Sequence, residues 1–88
     1  MKKLRYFKLP LCPYCIRADI YMKKLIKENP DYQKIDIEVI NESKERSFAD
    51  SYNYFLVPAF FLADKKLHEG AASYEDIKRV LDEALKSQ

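Results

Sequence analysis

Glycine is almost missing from this chain of 88 residues: it occurs once, beside four prolines. A β-rich fold that reverses direction every few residues needs more of both. A disordered or low-complexity chain shows an excess of them, so neither class fits. An excess of charge of one sign is missing too. Lys and Arg number 16 against 14 Asp and Glu, and the charges are interspersed apart from short clusters such as Lys2-Lys3 and Lys23-Lys24. A nucleic-acid binder gathers a stronger basic excess on one face, so nucleic acid is not an expected partner. Long apolar runs are also lacking. The longest, Phe55 to Ala63, is nine residues interrupted by Pro58, well short of a bilayer span of about 20. The N-terminus, Met1 to Tyr6, is basic without the apolar stretch of a signal peptide. No membrane partner and a cytoplasmic address are therefore expected.

What is present is a moderate supply of core residues, 48% of the chain being hydrophobic. A chain of this length makes one domain, spanning 1–88, that buries roughly 60–65% of the surface its unfolded form exposes. There are two cysteines, Cys12 and Cys15. In a reducing compartment, cysteines this close together belong to catalysis or metal binding more often than to a structural disulfide.

The pattern of elements alternates. Leu4 to Leu9 reads as a short strand ending at Pro10. Pro13 to Glu28 reads as a helix: Pro13 suits the first helical position, and Cys15, Ala18, Met22, Leu25 and Ile26 fall on one face at 100° per residue. Asn29-Pro30-Asp31 ends it. Lys34 to Ile40 alternates charged and apolar residues, the signal of a half-buried strand. Asn41 offers an N-cap for a second helix of about eleven residues with Phe48, Ala49 and Tyr52 inward. Val57 to Leu62 and Lys66 to Glu69 read as strands joined at Ala63-Asp64-Lys65. Ser73 and Asp76 form a capping box for a last helix with Ile77, Val80, Leu81, Ala84 and Leu85 inward. Phe48, Tyr52, Phe55, Phe60 and Phe61 read as core. The order β-α-β-α-β-β-α makes the first two strands parallel and the last two antiparallel, giving a mixed four-stranded α/β sheet with its three helices on both faces.

Cys12-Pro13-Tyr14-Cys15 sits where the first strand ends and the first helix begins. A thiolate on Cys12 there meets unpaired backbone N–H groups and the positive end of the helix dipole, which lower its pKa below the free value of about 8.5. Cys15, about one turn on, faces inward and is less exposed and less ionised. That asymmetry assigns roles: Cys12 attacks a substrate disulfide, and Cys15 displaces the reduced product from the mixed disulfide. A mononuclear metal site lacks ligands, because one such pair supplies two of the four a closed zinc site needs and His68 is distant in sequence.

These residues resemble the glutaredoxin branch of the thioredoxin superfamily. The cysteine motif, followed by Ile16-Arg17-Ala18, looks like the glutaredoxin active-site signature. Val57-Pro58 before Ala59-Phe60-Phe61-Leu62 looks like the family's second landmark, a cis proline that opens the third strand and faces the cysteines. The resemblance implies a thioredoxin fold over almost the whole chain. It implies catalysis by Cys12 and Cys15, with substrate binding by Lys8, Tyr14, Val57 and Pro58. It implies no resident cofactor or metal, and a monomer that meets a disulfide-bearing protein or small thiol and takes electrons from glutathione or from a thioredoxin reductase with NADPH.

The likeness breaks in one place. Glutaredoxins carry a Gly-Gly pair after the fourth strand to hold glutathione, whereas this chain reads His68-Glu69-Gly70-Ala71, and Glu69 there repels a glutathione carboxylate. Tyr6 stands where thioredoxin has a buried Asp. Lys8 precedes Cys12 by four residues, close enough to stabilise its thiolate, and Ile16 and Ile20 lie off the core stripe, free to form an apolar docking patch. Two rival readings use the same fold: a metal or iron–sulfur cluster carrier held through Cys12 of two chains, and a non-catalytic interaction module.

Overall fold

A strand sends successive side chains to opposite faces, and the first strand, β1 (Leu4–Lys8), divides the core in this way. Leu4 and Tyr6 point to one face and Phe7 to the other. The computed structural model describes residues 2–88. After β1 come α1 (Pro13–Glu28), a 3-10 turn (Pro30–Lys34), β2 (Ile37–Asn41), α2 (Arg46–Asp50), β3 (Ala59–Leu62), β4 (Lys65–Glu69) and α3 (Tyr74–Lys86). The four strands form one sheet in the order β2-β1-β3-β4. β1 runs parallel to β2 across the helical connection, β3 and β4 are antiparallel as their two-residue turn requires, and β3 is also antiparallel to β1.

The larger core lies where Leu4, Tyr6, Phe60 and Leu62 meet α1 and α3. From α1 come Ala18, Met22 and Leu25, and from α3 Ile77, Val80, Leu81 and Ala84, the stripes read from their helical spacing. Tyr6 stacks on Phe60 with ring centroids 4.6 Å apart. The capping box of α3 is complete. The Ser73 hydroxyl accepts the Asp76 N–H at 3.1 Å, and the Asp76 carboxylate accepts the Ser73 N–H at 3.0 Å. The opposite face is smaller and aromatic: Phe7, Ile40, Ala49, Ala59 and Phe61, with Tyr52 and Tyr54 against them.

Several expectations need correction. The second strand begins at Ile37 rather than Lys34. Asn29 accepts the Asp31 N–H and caps a 3-10 turn that Pro30 opens, burying Tyr32 and delivering its hydroxyl to Asp82. Apolar residues at alternate positions fit either a strand or this turn followed by a shorter strand. The second helix is five residues, not eleven. Asn41 does not cap it. Its side chain accepts the Ser43 N–H at 3.0 Å and closes a separate turn, which is the local competition Asn offers the helix. β3 begins at Ala59 rather than Val57, and β4 at Lys65 rather than Lys66.

Phe55, read as core, is 89% exposed. Its main chain and that of Leu56 are fixed by hydrogen bonds to Glu69, so the loop holds its course here without turning Phe55 inward. Phe48, also read as core, stays half-exposed at the rim of the aromatic face.

Candidate functional site

The register brings three segments to one end of the sheet. Phe7, near the end of β1, lies opposite Ala59, the first residue of β3, and Ala59 lies opposite Glu69, the last residue of β4. The loop from Leu9 to Cys12, the Val57-Pro58 dipeptide and the turn at Gly70 therefore share that end. The Val57-Pro58 bond is cis. Pro58 is buried, and its carbonyl accepts the Gly70 N–H at 2.8 Å.

Cys12 is the N-cap of α1, with extended backbone at φ −75° and ψ 120°, and Pro13 takes the first helical position. That position needs no N–H donor, so proline starts the helix at no cost in hydrogen bonding. The first helical bond runs from the Ile16 N–H to the Cys12 carbonyl at 3.0 Å. The first-turn donors are then left to face the Cys12 side chain.

The two thiols are free, Cys12 partly accessible and Cys15 buried at 1% exposure. Their acidities diverge. For Cys12, partial burial opposes ionisation, but the Cys15 N–H, the Cys15 thiol and the Tyr14 N–H together outweigh it and bring the Cys12 thiol below its ordinary range. For Cys15, burial pushes the thiol up to about 12. The Leu9 N–H opposes this, while the hydrogen bond to Cys12 and the negative charges of Cys12 and Asp19 add to it.

Tyr14 projects from the first turn, 53% exposed. Around Cys12 the surface is apolar: Leu9, Pro10 and Leu11 line a shallow depression with it, and Leu11 is 89% exposed. Ile16 and Ile20 are exposed on α1, and Phe55 and Leu56 on the loop before Val57.

Lys8 is engaged below this surface. Its ammonium lies 2.8 Å from the Asp19 carboxylate and over the Tyr6 ring. Asp19 also accepts the Tyr6 hydroxyl at 2.8 Å. Sequence reasoning did not single out Asp19. The signal was there, since a residue four after Cys15 on a helix shares its face, but a charged residue beside an apolar stripe reads as solvated.

Glu69, expected to face an incoming carboxylate, is turned to its own chain. It accepts the Phe55 and Leu56 N–H groups and the Lys66 ammonium, and these three hold its carboxyl at about 2, far below the usual range. His68 is hydrogen-bonded to the Ala71 carbonyl. Among the described residues, no group of three or more His, Cys, Asp or Glu side chains is placed to hold a metal ion. No helix of these residues is long and apolar enough to cross a membrane.

No family profile matches the chain, and no curated protein matches it. Solved structures do. A malarial protein superposes with a TM-score of 0.70 at 19% identity, over 97% of this chain and 98% of that one. A thioredoxin-like protein from Clostridium perfringens superposes with a TM-score of 0.66 at 24% identity, over 96% of this chain and 71% of that one. At these identities the likeness is one of fold, and the fold is thioredoxin-like. Two cysteines at the start of its first helix are compatible with redox chemistry.

Proposed function

We propose that this chain is a glutaredoxin-like or thioredoxin-like thiol–disulfide oxidoreductase that reduces disulfides of proteins or small thiols through Cys12 and Cys15. The observation that carries the reading is the placement of two free thiols one helical turn apart, Cys12 partly accessible at the N-cap of α1 and Cys15 buried, which sets their acidities in opposite directions. A thiolate is the attacking species in disulfide exchange, so a pair built this way has a defined order of action.

The Cys12 thiolate attacks one sulfur of a substrate disulfide. A Cys12–substrate disulfide forms and the other substrate sulfur leaves as a thiolate. Cys15 loses its proton and attacks the Cys12 sulfur, expelling the second substrate thiolate. Two cysteine thiols are oxidised to one disulfide, and one substrate disulfide is reduced to two thiols. An external dithiol, or two molecules of glutathione, returns the pair to its reduced form.

Tyr14 and the half-buried Val57, beside Pro58, are the surfaces against which a substrate chain lies, with strand-like hydrogen bonds to the Val57 backbone. The Glu69 charge is spent on Lys66 and two main-chain N–H groups, which removes the repulsion that argued against glutathione. The proposed setting is a cytoplasmic monomer.

The test is turnover of a disulfide substrate by the reduced protein. Cys12→Ser abolishes it, and Cys15→Ser accumulates an adduct on Cys12 that mass spectrometry detects. Undiminished turnover by Cys12→Ser refutes the assignment. Offering the oxidised protein glutathione and, separately, a thioredoxin reductase with NADPH identifies the electron donor by the faster reduction.

A further inference from the structure

The resolving step poses a problem that the cysteines alone do not solve. Cys15 is buried and holds its proton tightly, yet it must release that proton to attack. Water has little access to a sulfur with 1% of its residue exposed. A proton acceptor has to come from the protein.

We propose that Asp19, aimed by Tyr6 and Lys8, receives the proton that Cys15 loses when it resolves the mixed disulfide. This rests on the dithiol reading above and deepens it.

The geometry supports the assignment in three ways. Asp19 follows Cys15 by four residues on α1, which sets their Cβ atoms about 5–6 Å apart on one helix face. Its two carboxylate oxygens are held separately, one by the Tyr6 hydroxyl and the other by the Lys8 ammonium, each at 2.8 Å. Both partners stand on β1, the strand that leads into the cysteine loop, and Tyr6 is buried and stacked on Phe60. The ionisable groups bonded to Asp19 or acting with it are therefore Tyr6 and Lys8 of β1 and Cys15 of its own helix. The Tyr6 hydroxyl lies 3.1 Å from the Cys15 carbonyl as well. That carbonyl and the Asp19 carboxylate are thus tied to one point. A hydroxyl has a single proton, and the shorter contact assigns it to the carboxylate.

The step balances. The Cys15 proton passes to the Asp19 carboxylate as the Cys15 sulfur bonds to the Cys12 sulfur. The bond between Cys12 and the substrate sulfur breaks, and its electron pair leaves with the substrate thiolate. Asp19 then passes the proton to that thiolate, or to solvent where the leaving thiol is acidic enough to stay ionised, which regenerates the carboxylate. Lys8 and Tyr6 fix where the carboxylate points, so they act as positioning residues.

Rapid mixing of the reduced protein with the aromatic disulfide 5,5′-dithiobis(2-nitrobenzoate) separates the steps, because one coloured thiolate is released by Cys12 and a second by Cys15. In Asp19→Asn the first release persists and the second slows on the order of a hundredfold near neutral pH, the contribution a general base makes. Its rate also becomes proportional to hydroxide, whereas the parent's levels off. Asp19→Glu, which keeps a carboxylate, recovers rate. A second phase in Asp19→Asn as fast as the parent's or faster, with the same pH profile, overturns the proposal, because removing a negative charge alone would ease ionisation of Cys15. Tyr6→Phe keeps the ring stacking and removes only the hydroxyl. It slows the second phase too, and an unchanged second phase there overturns the proposal even should the Asn variant fail to fold. A parent with no second release, or a second release that survives in Cys15→Ser, refutes the dithiol reading itself and is recognised by that control.

Discussion

The single glycine of the chain, Gly70, donates its backbone N–H to the carbonyl of Pro58 at 2.8 Å. Gly70 has φ +88°, a conformation that side-chain-bearing residues rarely adopt, and a Cβ there would come within 3.3 Å of the Leu56 side chain. The turn after β4 and the loop before β3 are thereby pressed together. Glu69, the preceding residue, completes the junction through the Phe55 and Leu56 N–H groups.

Glu69→Ala removes the acceptor from both of those amides. Their hydrogen exchange is expected to accelerate toward that of an open loop, with little change in α1 or α3, as measured residue by residue. The carboxyl is held at about 2 against an ordinary 4.5. Since the folded value is depressed, its stabilising contribution is complete above the ordinary value and is lost as pH falls through the folded one. In the parent protein the same two amides are therefore expected to stay protected through mildly acid solution and to lose protection only toward pH 2.

Alkylation of the reduced protein by iodoacetamide, followed against pH, reports the ionisation of Cys12. The inflection is expected below the ordinary thiol value. Cys15→Ala removes a donor to the Cys12 sulfur, so the inflection moves up, while the backbone N–H groups keep it from returning all the way. In Cys12→Ser, Cys15 is expected to resist alkylation until strongly alkaline solution, because burial holds its proton.

Ala63 occupies a position with φ +55° in the two-residue connection between Leu62 and Lys65. A side chain there costs roughly 1–2 kcal/mol, and glycine relieves it at some expense in unfolded-chain entropy. Ala63→Gly is expected to raise stability by up to about 1 kcal/mol, read as a higher urea midpoint at unchanged slope.

Ser73→Ala breaks one half of the capping box of α3. Loss of an N-cap side chain costs about 1 kcal/mol. Urea unfolding of the variant is expected to show that loss, and Ser73→Asp, which keeps an acceptor, is expected to recover most of it.

The long helices and the pairing of the sheet were legible because their signals are local and repeated. Cys15, Ala18, Met22 and Leu25 set the phase of α1, and Ile77, Val80, Leu81 and Ala84 that of α3. The capping box and the tight connection at Ala63 and Asp64 are written in neighbouring residues. What escaped depends on a choice between competing local bonds or on partners distant in sequence. Asn41 and Ser43 settled locally into a turn and shortened α2, a choice between two acceptable local bonds. Phe55 is apolar but its loop is held by its amides, and the acceptor is Glu69, fourteen residues on. Asp19 reads as surface until the fold brings Tyr6 and Lys8 against it. In the candidate site the two cysteines stand out in the sequence, whereas the Asp19 carboxylate that Tyr6 and Lys8 hold does not.

Lys8 spends its charge on Asp19, so what lowers the Cys12 pKa is a set of peptide N–H groups and a neighbouring thiol. Salt screens a helix-end dipole as it screens side-chain charges, but the N–H donors of the first turn are fixed by the backbone and not by mobile side chains. For the proposed chemistry, ionisation of this sulfur thus depends on the first turn of α1 and little on drift in the protein's outer lysines and glutamates. It is a property the backbone carries wherever the fold is intact.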